Sequence, residues 1–307
     1  MSKKIVVIGS SNVDLIMKLE RLPRRGESVA DGIFMQTYGG KGANQAVAAA
    51  RAGGQVVFVN CVGDDVYTPQ MVQNFRDEGL DTRYVFSETG IASGHALVMI
   101  GEEGNNYLTV APGANHRLTP EKLANEAPGM LDEAAMVMMQ YEIPVDTIQY
   151  VLEQAQTRNL PVLWNFAPAR SFDLGYLSKV HTLVVNEVEA EFLVDKKVAS
   201  IEDAEAAARK LLTFGVQQVA VTLGERGAYF LSANAQFHTP AFAVDQVDTT
   251  AAGDTFCGAL AVALTEQQPL PEAIRFACAA AALAVTQLGA QPSIPMRPAV
   301  EALLANP

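Results

Sequence analysis

The segment DTTAAGDTFCGAL, residues 248–260, joins a short run of hydroxyl and small residues to an apolar run of helical character. Residues 249–253 are too small-sided to pack a core, and they stand where a helix would begin. The free N–H groups of a helix's first turn attract anions, and Gly253 lets a ligand approach the backbone closely. Asp254 would then lie beside bound negative charge, which suits a base that takes a proton from a hydroxyl attacking phosphorus. The alternative is an acid that merely favours the helix dipole.

The composition excludes several classes of protein. The 307 residues carry 22 Lys and Arg against 34 Asp and Glu, a net charge of −12, which argues against a broad nucleic-acid or anionic-membrane surface. The opening MSKKIVVIGS leads directly into a short apolar run, so we expect neither a signal peptide nor a membrane span. Cys61, Cys257 and Cys278 form no CxxC or Cys/His cluster, which predicts buried, reduced thiols in a cytoplasmic protein.

Short β-branched runs alternate with longer amphipathic runs along the chain. This alternation predicts an α/β fold with a doubly wound, mainly parallel sheet and helices on both faces, in a single domain over residues 1–307. In such sheets, ligands bind at the carboxyl ends of the strands. Strands are predicted at residues 5–9, 56–63, 136–140, 161–166, 182–186 and 219–224, with a further strand after Gly227. Helices are predicted at residues 42–52, 67–78, 145–158, 201–214, 255–265 and 273–287.

Two stretches depart from the alternation. Residues 15–38 have broken alternating patterning, and residues 94–110 read as a hairpin, HALVMI and NYLTV around GEEGN. We expect them to be insertions that pair into a small sheet standing off the main body as a lid. The exposed edge of such a sheet invites pairing with a second chain, so we expect a homodimer through this lid.

Polar residues follow the first predicted strand. Asn12 and Asp14 are spaced by two, so both can face one side of an extended segment. A carboxylate that accepts two hydrogen bonds, beside an amide that donates and accepts, suits the vicinal hydroxyls of a sugar. A simple Asx turn that ends the strand is the open alternative.

A glycine-rich segment, GGKGAN at residues 39–44, precedes a predicted helix. It lacks the GxxxxGK[ST] spacing of a Walker-type phosphate loop. We interpret it as a turn that brings backbone, Lys41 and Asn44 to a polyol, with a plain helix start as the alternative. Glu142, an isolated acid after the strand at 136–140, is either a ligand residue or a solvated turn residue.

Two further segments could serve a nucleotide. Asn186 and Glu189 lie three apart at a predicted helix start, which suggests an outer-shell magnesium site or, equally, an Asn helix cap. Thr222 and Gly224 end a predicted strand, which makes a tight turn at Gly227 into a second strand. The backbone of this turn can line a nucleotide groove or only connect the two strands. A dinucleotide-dependent dehydrogenase fits the sheet, but GSSNVD lacks the GxGxxG spacing.

The set of motifs resembles the ribokinase family from one end of the chain to the other and in that family's order. The string DTTAAGD together with GGKGAN is the specific part of the resemblance, whereas NVD or TLG alone is weak. The matching motifs are NVD at 12–14, GGKGAN at 39–44, APGAN at 111–115, NEVE at 186–189, TLGERG at 222–227, DTTAAGDTF at 248–256 and GAQPSIP at 289–295.

The resemblance implies ATP-dependent phosphorylation of D-ribose at its 5-hydroxyl by a ribokinase-like fold, with Mg²⁺ and a monovalent cation such as K⁺. Asp254 would be the base, and the backbone of Ala251, Ala252, Gly253 and Asp254 the anion hole. The sugar would be held by Asn12, Asp14, Gly40, Lys41, Asn44 and Glu142, and by Asp254 itself. Asn186, Thr222, Gly224, Gly227 and Gly253 would line the nucleotide site, with Asn186 and Glu189 serving magnesium through water. The monovalent cation would take oxygen ligands from Asp248, Thr250, Ala284, Gly289 and Ser293.

One position departs from the family pattern. Cys278 stands where the resemblance implies a more polar residue, often His, near the adenine, so adenine stacking or ATP affinity would differ. A kinase for another sugar or for a nucleoside is the alternative within the superfamily. An inactive sugar-binding sensor is the alternative outside it, although a pure binder would not need Asp254, Gly253, Asn186 and Glu189.

Overall fold

The computed structural model describes residues 4–101 and 106–306, and these ranges contain thirteen strands and nine α-helices. Short apolar runs form the strands, and longer amphipathic runs form most of the helices. The strands are β1 (Lys4–Ile8), β2 (Asn12–Leu19), β3 (Ile33–Gly39), β4 (Gln55–Val62), β5 (Asp81–Ser87), β6 (Gly94–Gly101), β7 (Asn106–Ala111), β8 (Ala134–Met139), β9 (Val162–Asn165), β10 (Thr182–Asn186), β11 (Gln218–Thr222), β12 (Ala228–Ser232) and β13 (Gln236–Thr239). The helices are α1 (Lys41–Arg51), α2 (Thr68–Asp77), α3 (Pro120–Glu126), α4 (Val145–Thr157), α5 (Glu187–Val194), α6 (Ile201–Leu212), α7 (Ala252–Thr265), α8 (Leu270–Ala284) and α9 (Arg297–Ala305).

Nine strands form the main sheet, in the order β13-β12-β11-β10-β9-β8-β1-β4-β5. Every pair from β11 to β5 is parallel, and only β12 and β13 join as an antiparallel hairpin at one edge. The predicted mainly parallel sheet is therefore confirmed. Its parallel strands all end at the same edge, where the connecting loops carry most of the polar motifs.

The two faces of this sheet are covered by different helices. Alternation along β1 sends Val6 and Ile8 to one face and Ile5 and Val7 to the other. The first face packs against α3, α4, α5 and α6, and the second against α1, α2, α7, α8 and α9. Burial on both faces explains why these strands read as continuous apolar runs. Helices on both faces were predicted and are confirmed.

The observed boundaries lie close to the predicted ones, with two shifts toward the N-terminus. α7 begins at Ala252 rather than residue 255, and α8 spans Leu270–Ala284 rather than residues 273–287. Both helices start on residues that contribute little to the core, which is why the apolar pattern underestimates them. β5, β13, α3 and α9 were not predicted, since β5 and β13 lie at the sheet edges and α3 and α9 are short.

The two insertions pair into a separate four-stranded sheet in the order β3-β2-β6-β7, as predicted. We call it the small sheet. β2 is antiparallel to β3 and parallel to β6, and β6 is antiparallel to β7. β2 begins at Asn12, so Asn12 and Asp14 belong to one of the two central strands of this sheet. The predicted GEEGN turn falls on residues 101–105, of which 102–105 lie outside the described residues. No helix in the described ranges is both long enough and apolar enough to cross a membrane.

Candidate active site

The N-terminus of α7 opens at the carboxyl edge of the main sheet with unpaired donors. Its N-cap, Ala251, has φ 60°, in the left-handed region that a non-glycine residue rarely adopts. The N–H groups of Gly253 and Asp254 have no acceptor within the described part of the chain, as expected for a first helical turn. A Cβ at Gly253 would meet no atom within 4 Å. The turn therefore presents two N–H donors and open space, which fits a phosphate.

Asp254 lies in that first turn with its carboxylate held from both sides. The residue is only 6% exposed. Asn44 Nδ2 donates to Asp254 Oδ2 at 3.0 Å, and Gln45 Nε2 donates to Asp254 Oδ1 at 2.9 Å. Asn44 Oδ1 is buried without a hydrogen-bond partner in the described part of the chain, so an acceptor stays available beside the carboxylate. The base candidate thus adjoins an unpaired acceptor suited to a ligand hydroxyl.

Gln45 connects the same carboxylate to the strand ends. Its Nε2 also donates to Asn165 Oδ1 at 3.0 Å, and its Oε1 accepts from Gln140 Nε2 at 2.8 Å. All three amides were missed by the sequence reasoning. The available signals were that Gln45 follows the GGKGAN motif directly, and that Gln140 and Asn165 stand at the ends of apolar strands, where side chains reach the ligand edge.

Lys41 begins α1 and lies among carboxylates. Its backbone N–H donates to Glu142 Oε2 at 3.0 Å. The negative charge of Asp254, more than those of Glu142 and Glu189, raises the pKa of the Lys41 ammonium despite its burial. The ammonium therefore stays charged and supplies the positive field that an anionic substrate needs.

Glu142 is tied to the loop that follows β1. Ser10 Oγ donates to Glu142 Oε2 at 2.6 Å and accepts from the Gly42 N–H at 3.2 Å. A Cβ at Gly42 would come within 2.4 Å of the Ser10 backbone nitrogen, so only glycine permits this approach of α1 to the loop. Glu142, which the sequence left open between ligand and turn residue, is therefore placed beside Lys41.

Asp14 faces the same group of polar side chains from the small sheet. A Cβ at Gly39 would lie 2.1 Å from Asp14 Oδ2, so the carboxylate rests directly against the glycine-rich segment. Burial, together with the negative charge of Glu142, raises the pKa of Asp14 to about 7. No Lys or Arg in the described ranges forms an ion pair with this carboxylate, which leaves its oxygens suited to hydroxyl donors from a ligand.

Asn12 is buried and its amide orientation is defined by Asn115. Asn115 Nδ2 donates to Asn12 Oδ1 at 2.9 Å, while Asn115 Oδ1 accepts from the Ser11 N–H at 2.9 Å. Since the Asn12 oxygen is occupied, its NH₂ group is the part left to donate. Asn115 belongs to the APGAN motif, for which the sequence reasoning assigned no role. Of the residues predicted for the sugar, Asn44 hydrogen-bonds to Asp254, whose charge also acts on Lys41, and Glu142 accepts from the Lys41 N–H. Asp14 is near enough to Glu142 for their charges to interact, and a Cβ at Gly40 would lie 2.8 Å from the Asn12 backbone nitrogen. Their role in holding a sugar stays a prediction.

The residues predicted for the nucleotide follow the next two strands. Asn186 and Thr222 are neighbours in the register of β10 and β11. Gly224 and Gly227 have φ 56° and 89° in the turn beyond β11, and a Cβ at Gly224 would meet no atom within 4 Å. The space beside Gly224 is therefore open, whereas a Cβ at Gly227 would lie 2.0 Å from the Thr239 carbonyl oxygen.

Asn186 and Glu189 form a complete capping box at the start of α5. Asn186 Oδ1 accepts from the Glu189 N–H at 2.9 Å, and Glu189 Oε2 accepts from the Asn186 N–H at 2.8 Å. Burial, more than the negative charge of Asp254, raises the pKa of Glu189. The helix cap that the sequence left open is present, and a magnesium role stays a prediction. No group of three or more His, Cys, Asp or Glu residues in the described ranges is placed to hold a metal by itself.

Three of the five residues predicted for a monovalent cation form one loop junction. Asp248 Oδ1 accepts from the Thr250 N–H and hydroxyl at 2.9 and 2.7 Å, and Asp248 Oδ2 accepts from the Gly289 N–H at 2.9 Å. Burial raises the pKa of Asp248, but these hydrogen bonds outweigh it and lower the pKa overall. Ala284 ends α8, and the Ser293 hydroxyl donates to the Ala290 carbonyl.

The cysteines are free and buried, as predicted. Burial raises the pKa of the Cys278 thiol on α8 to about 12, so it stays protonated. A small neutral side chain therefore occupies the position where the family resemblance implied a more polar one.

The chain is similar to known carbohydrate kinases along almost its whole length. The family model described as pfkB family carbohydrate kinase matches residues 2–297. A ribokinase of Haemophilus influenzae is 36% identical over 297 residues, which cover 97% of each chain. A deoxyribokinase of Salmonella typhi is 36% identical over 292 residues, which cover 95% of each chain. The structure of Arabidopsis thaliana ribokinase complexed with ribose and ATP covers 99% of each chain with a TM-score of 0.93 and 33% identity.

Proposed function

The chain belongs to the pfkB family of carbohydrate kinases, and we propose that within it the chain transfers the γ-phosphoryl group of ATP to the 5-hydroxyl of D-ribose. The observation that carries the proposal is the buried carboxylate of Asp254 beside the two unpaired N–H groups that begin α7. A proton acceptor and an anion site are therefore adjacent, as phosphoryl transfer to an alcohol requires. Ribokinases of similar length at 36–37% identity support ribose as the acceptor.

In the transfer, the ribose hydroxyl oxygen bonds to the γ-phosphorus while the bond from that phosphorus to the ADP oxygen breaks. The hydroxyl proton passes to the carboxylate of Asp254, and the electron pair of the broken bond leaves with ADP. The N–H groups of Gly253 and Asp254 receive the equatorial oxygens of the phosphoryl group, while Lys41 offsets negative charge at the site. Asn12, Asp14, Asn44 and Glu142 orient the sugar.

Magnesium is part of the proposal as an ion held mainly by the phosphates and water. Both oxygens of Glu189 already accept hydrogen bonds from Asn186, so Glu189 is suited to act through metal-bound water rather than as a direct ligand. Magnesium would neutralise charge that develops between the β- and γ-phosphates. A cytoplasmic homodimer formed through the small sheet completes the proposal.

The decisive test of the base is Asp254→Asn. The amide keeps the shape and can still meet the attacking hydroxyl, but it cannot accept the proton, so we expect turnover to fall by roughly 10² to 10⁴ with ribose and ATP binding nearly unchanged. Steady-state kinetics, ligand titration and thermal unfolding should be measured on the same variant. Near-normal turnover with a small loss of stability, about 0.3 to 1 kcal/mol, would instead identify a helix-dipole acid.

The acceptor sugar has one specific competitor. Since the deoxyribokinase relative matches this chain as well as the ribokinase relative does, 2-deoxyribose is the second candidate. Coupled ATP-consumption assays across ribose, 2-deoxyribose, hexoses and nucleosides decide between them. We expect kcat/KM for ribose to exceed that for 2-deoxyribose by about ten- to a hundredfold, because a buried polar group left unpaired costs roughly 1 to 3 kcal/mol. A preference for 2-deoxyribose would overturn the ribose proposal and leave the kinase family intact.

Activation by potassium is proposed from the junction of Asp248, Thr250 and Gly289. Hydrogen bonds from the Thr250 and Gly289 N–H groups hold the Asp248 carboxylate in one position. Carboxylate and carbonyl oxygens are ligands that suit a large, weakly hydrated cation. A potassium ion bound at this junction should order the loop before α7. We therefore expect activity to rise several-fold when K⁺ replaces tetramethylammonium at constant ionic strength. Asp248→Asn should abolish most of that difference, and equal activity in the two cations would remove the site from the proposal.

A further inference from the structure

Gln45 is completely buried, and every polar atom of its side chain is engaged. Its Nε2 donates both protons, one to Asp254 Oδ1 and one to Asn165 Oδ1. Its Oε1 accepts from Gln140 Nε2. No donor or acceptor of this side chain remains for a ligand, so Gln45 has no place in the proposed substrate contacts.

Gln140, Gln45 and Asn165 form a hydrogen-bonded row that we call the amide chain. The carboxylate of Asp254 determines the direction of every hydrogen bond in it. Because Asp254 can only accept when ionised, the Gln45 atom that faces it must be the nitrogen, and Oε1 must then face Gln140. The Asn165 atom that faces Gln45 must be its oxygen, which directs Asn165 Nδ2 to the Val184 carbonyl at 3.2 Å. The alternative orientations would place two oxygens or two nitrogens together. The chain is therefore consistent in only one direction when Asp254 is ionised.

The amide chain anchors the carboxylate to three adjacent strands. Gln140 directly follows β8, Asn165 ends β9 and Val184 lies in β10, and these strands are neighbours in the main sheet. A helix terminus can fray, whereas a central sheet supplies a rigid frame. Gln45 connects these strands to α7, because it hydrogen-bonds to Gln140 and Asn165 on one side and to Asp254 on the other.

We propose that Gln45 is the positioning residue for the base: through the Gln140–Gln45–Asn165 amide chain it holds the carboxylate of Asp254 in one orientation and donates a hydrogen bond to its negative charge. The proposal rests on the proposed function, since it assumes that Asp254 accepts the proton. A hydrogen bond donated to a carboxylate favours its ionised form. A carboxylate held in one orientation also loses less entropy when it reaches the reactive geometry.

The test compares two substitutions of similar size. Gln45→Met removes the donor, and Gln45→Glu places a second carboxylate against Asp254. The readout is the rate of a single turnover between pH 5 and 9, which isolates the transfer step. Lys41, Glu189 and the Cys257 thiol also interact electrostatically with Asp254, and all three are the same in every variant. A base is active when it is deprotonated and loses activity as the pH falls. Removing a donor to its charged form therefore moves the acidic limb of the pH–rate profile to higher pH. We expect the limb to shift upward in the order wild type, Gln45→Met, Gln45→Glu.

At pH 7 we expect Gln45→Met to lower the single-turnover rate by roughly 10- to 100-fold with less than a threefold change in ribose affinity. Gln218→Met is the matched control, since Gln218 is also buried and donates to Thr182 Oγ1, but lies at the amino end of β11. It should lower the melting temperature and leave the pH profile in place. Similar losses of stability in both variants, without a limb shift in Gln45→Met, would overturn the proposal.

A readout without turnover separates this proposal from the proposed function. The ¹³C carboxyl resonance of Asp254, identified by its absence in Asp254→Asn, should titrate over a higher pH range in Gln45→Met and Gln45→Glu than in the wild type. If the resonance shifts in this way but the enzyme phosphorylates no sugar, the amide chain stands and the kinase proposal fails. If one variant does not fold, the other decides, and an unchanged titration in a folded variant overturns the proposal.

Discussion

At the scale of single residues, burial has a large effect on the pKa of Asp14, which is predicted to contact the sugar. Burial and the charge of Glu142 raise its pKa to about 7. Below that pH the folded, ligand-free protein keeps a proton on Asp14 that the unfolded chain has already lost. Since the ordinary value is 3.8, the folded state binds more protons between about pH 4 and 7. The contribution of Asp14 to the free energy of unfolding therefore decreases as the pH rises through this window.

Sugar binding should have the opposite dependence on pH. If ribose hydroxyls donate to an ionised Asp14, affinity rises as the pH passes 7, and we expect roughly a tenfold gain between pH 6 and 8 with release of up to one proton. Calorimetric titration in buffers of different ionisation enthalpy measures both quantities. Asp14→Asn should bind ribose more weakly, lose the pH dependence and leave ATP binding almost unchanged. Equal weakening of ribose and ATP would mean that Asp14 supports the small sheet instead.

At the scale of elements, the close packing of α1 on α7 brings the donors to the base. A Cβ at Gly258 of α7 would lie 2.5 Å from Ala48 Cβ and 2.8 Å from the Gln45 carbonyl oxygen of α1. Glycine at this position lets the two helix backbones approach each other. As a result, consecutive residues of α1, Asn44 and Gln45, reach the two oxygens of Asp254 from one short segment.

The two glycines of α7 should therefore respond differently to alanine. Gly253→Ala meets no protein atom, so we expect the free energy of unfolding to stay the same or rise by at most about 1 kcal/mol. The same methyl group would occupy the space in front of the N–H donors, and we expect kcat to fall by about 10² to 10³. Gly258→Ala should instead cost about 1 to 3 kcal/mol of stability through overpacking.

Chemical denaturation and kinetics on both variants make the comparison. An active Gly253→Ala enzyme would mean that no phosphate approaches this turn. A Gly258→Ala protein with unchanged stability would mean that α1 and α7 can separate without cost, and that the position of Gln45 does not depend on their contact.

At the scale of the whole molecule, the small sheet carries seven of the fourteen large apolar side chains that are exposed in the described ranges. Cross-strand neighbours share a face, and Met35, Ile16, Val98 and Leu108 form one such row across the four strands. Contiguous exposed apolar surface on an otherwise acidic protein favours contact with another protein surface. Large apolar side chains are exposed on this sheet at Ile33, Phe34, Met35, Leu97, Tyr107, Leu108 and Val110.

We expect a second copy of the chain to cover this sheet, giving a homodimer at micromolar concentration. Leu108, 63% exposed, lies in the apolar row, so Leu108→Asp should shift the sedimenting mass from dimer toward monomer. Val66→Asp is the control, because Val66 is 83% exposed but lies outside the small sheet, and its mass should not change. A wild-type enzyme that sediments as a monomer with full activity would contradict the dimer.

The sequence by itself determined the mainly parallel sheet with helices on both of its faces, and it predicted the edge of the sheet at which the site lies. Alternating apolar runs are local signals, and loops such as residues 39–44 and 248–254 must gather at one edge because parallel strands end together. Asp254 could be singled out because small residues before a helix leave its first turn open. Local sequence left Asn186 and Glu189 undecided between a cap and a metal site, and the structure shows the cap.

Only the tertiary structure decided which side chains hold the base. Gln45 and Asp254 are 209 residues apart in sequence, and Gln45 and Asn165 are 120 apart. The spacing of apolar residues along the chain does not show which distant side chains meet. In the sequence, a Gln or Asn that will be buried cannot be told from one that will be exposed. The raised pKa of Asp14 has the same origin, because it depends on the burial of this residue and on the charge of Glu142, which follows a strand of the main sheet. Long-range contacts decide the direction of hydrogen bonds and the charge of buried groups, whereas local sequence indicates which segments form strands and helices.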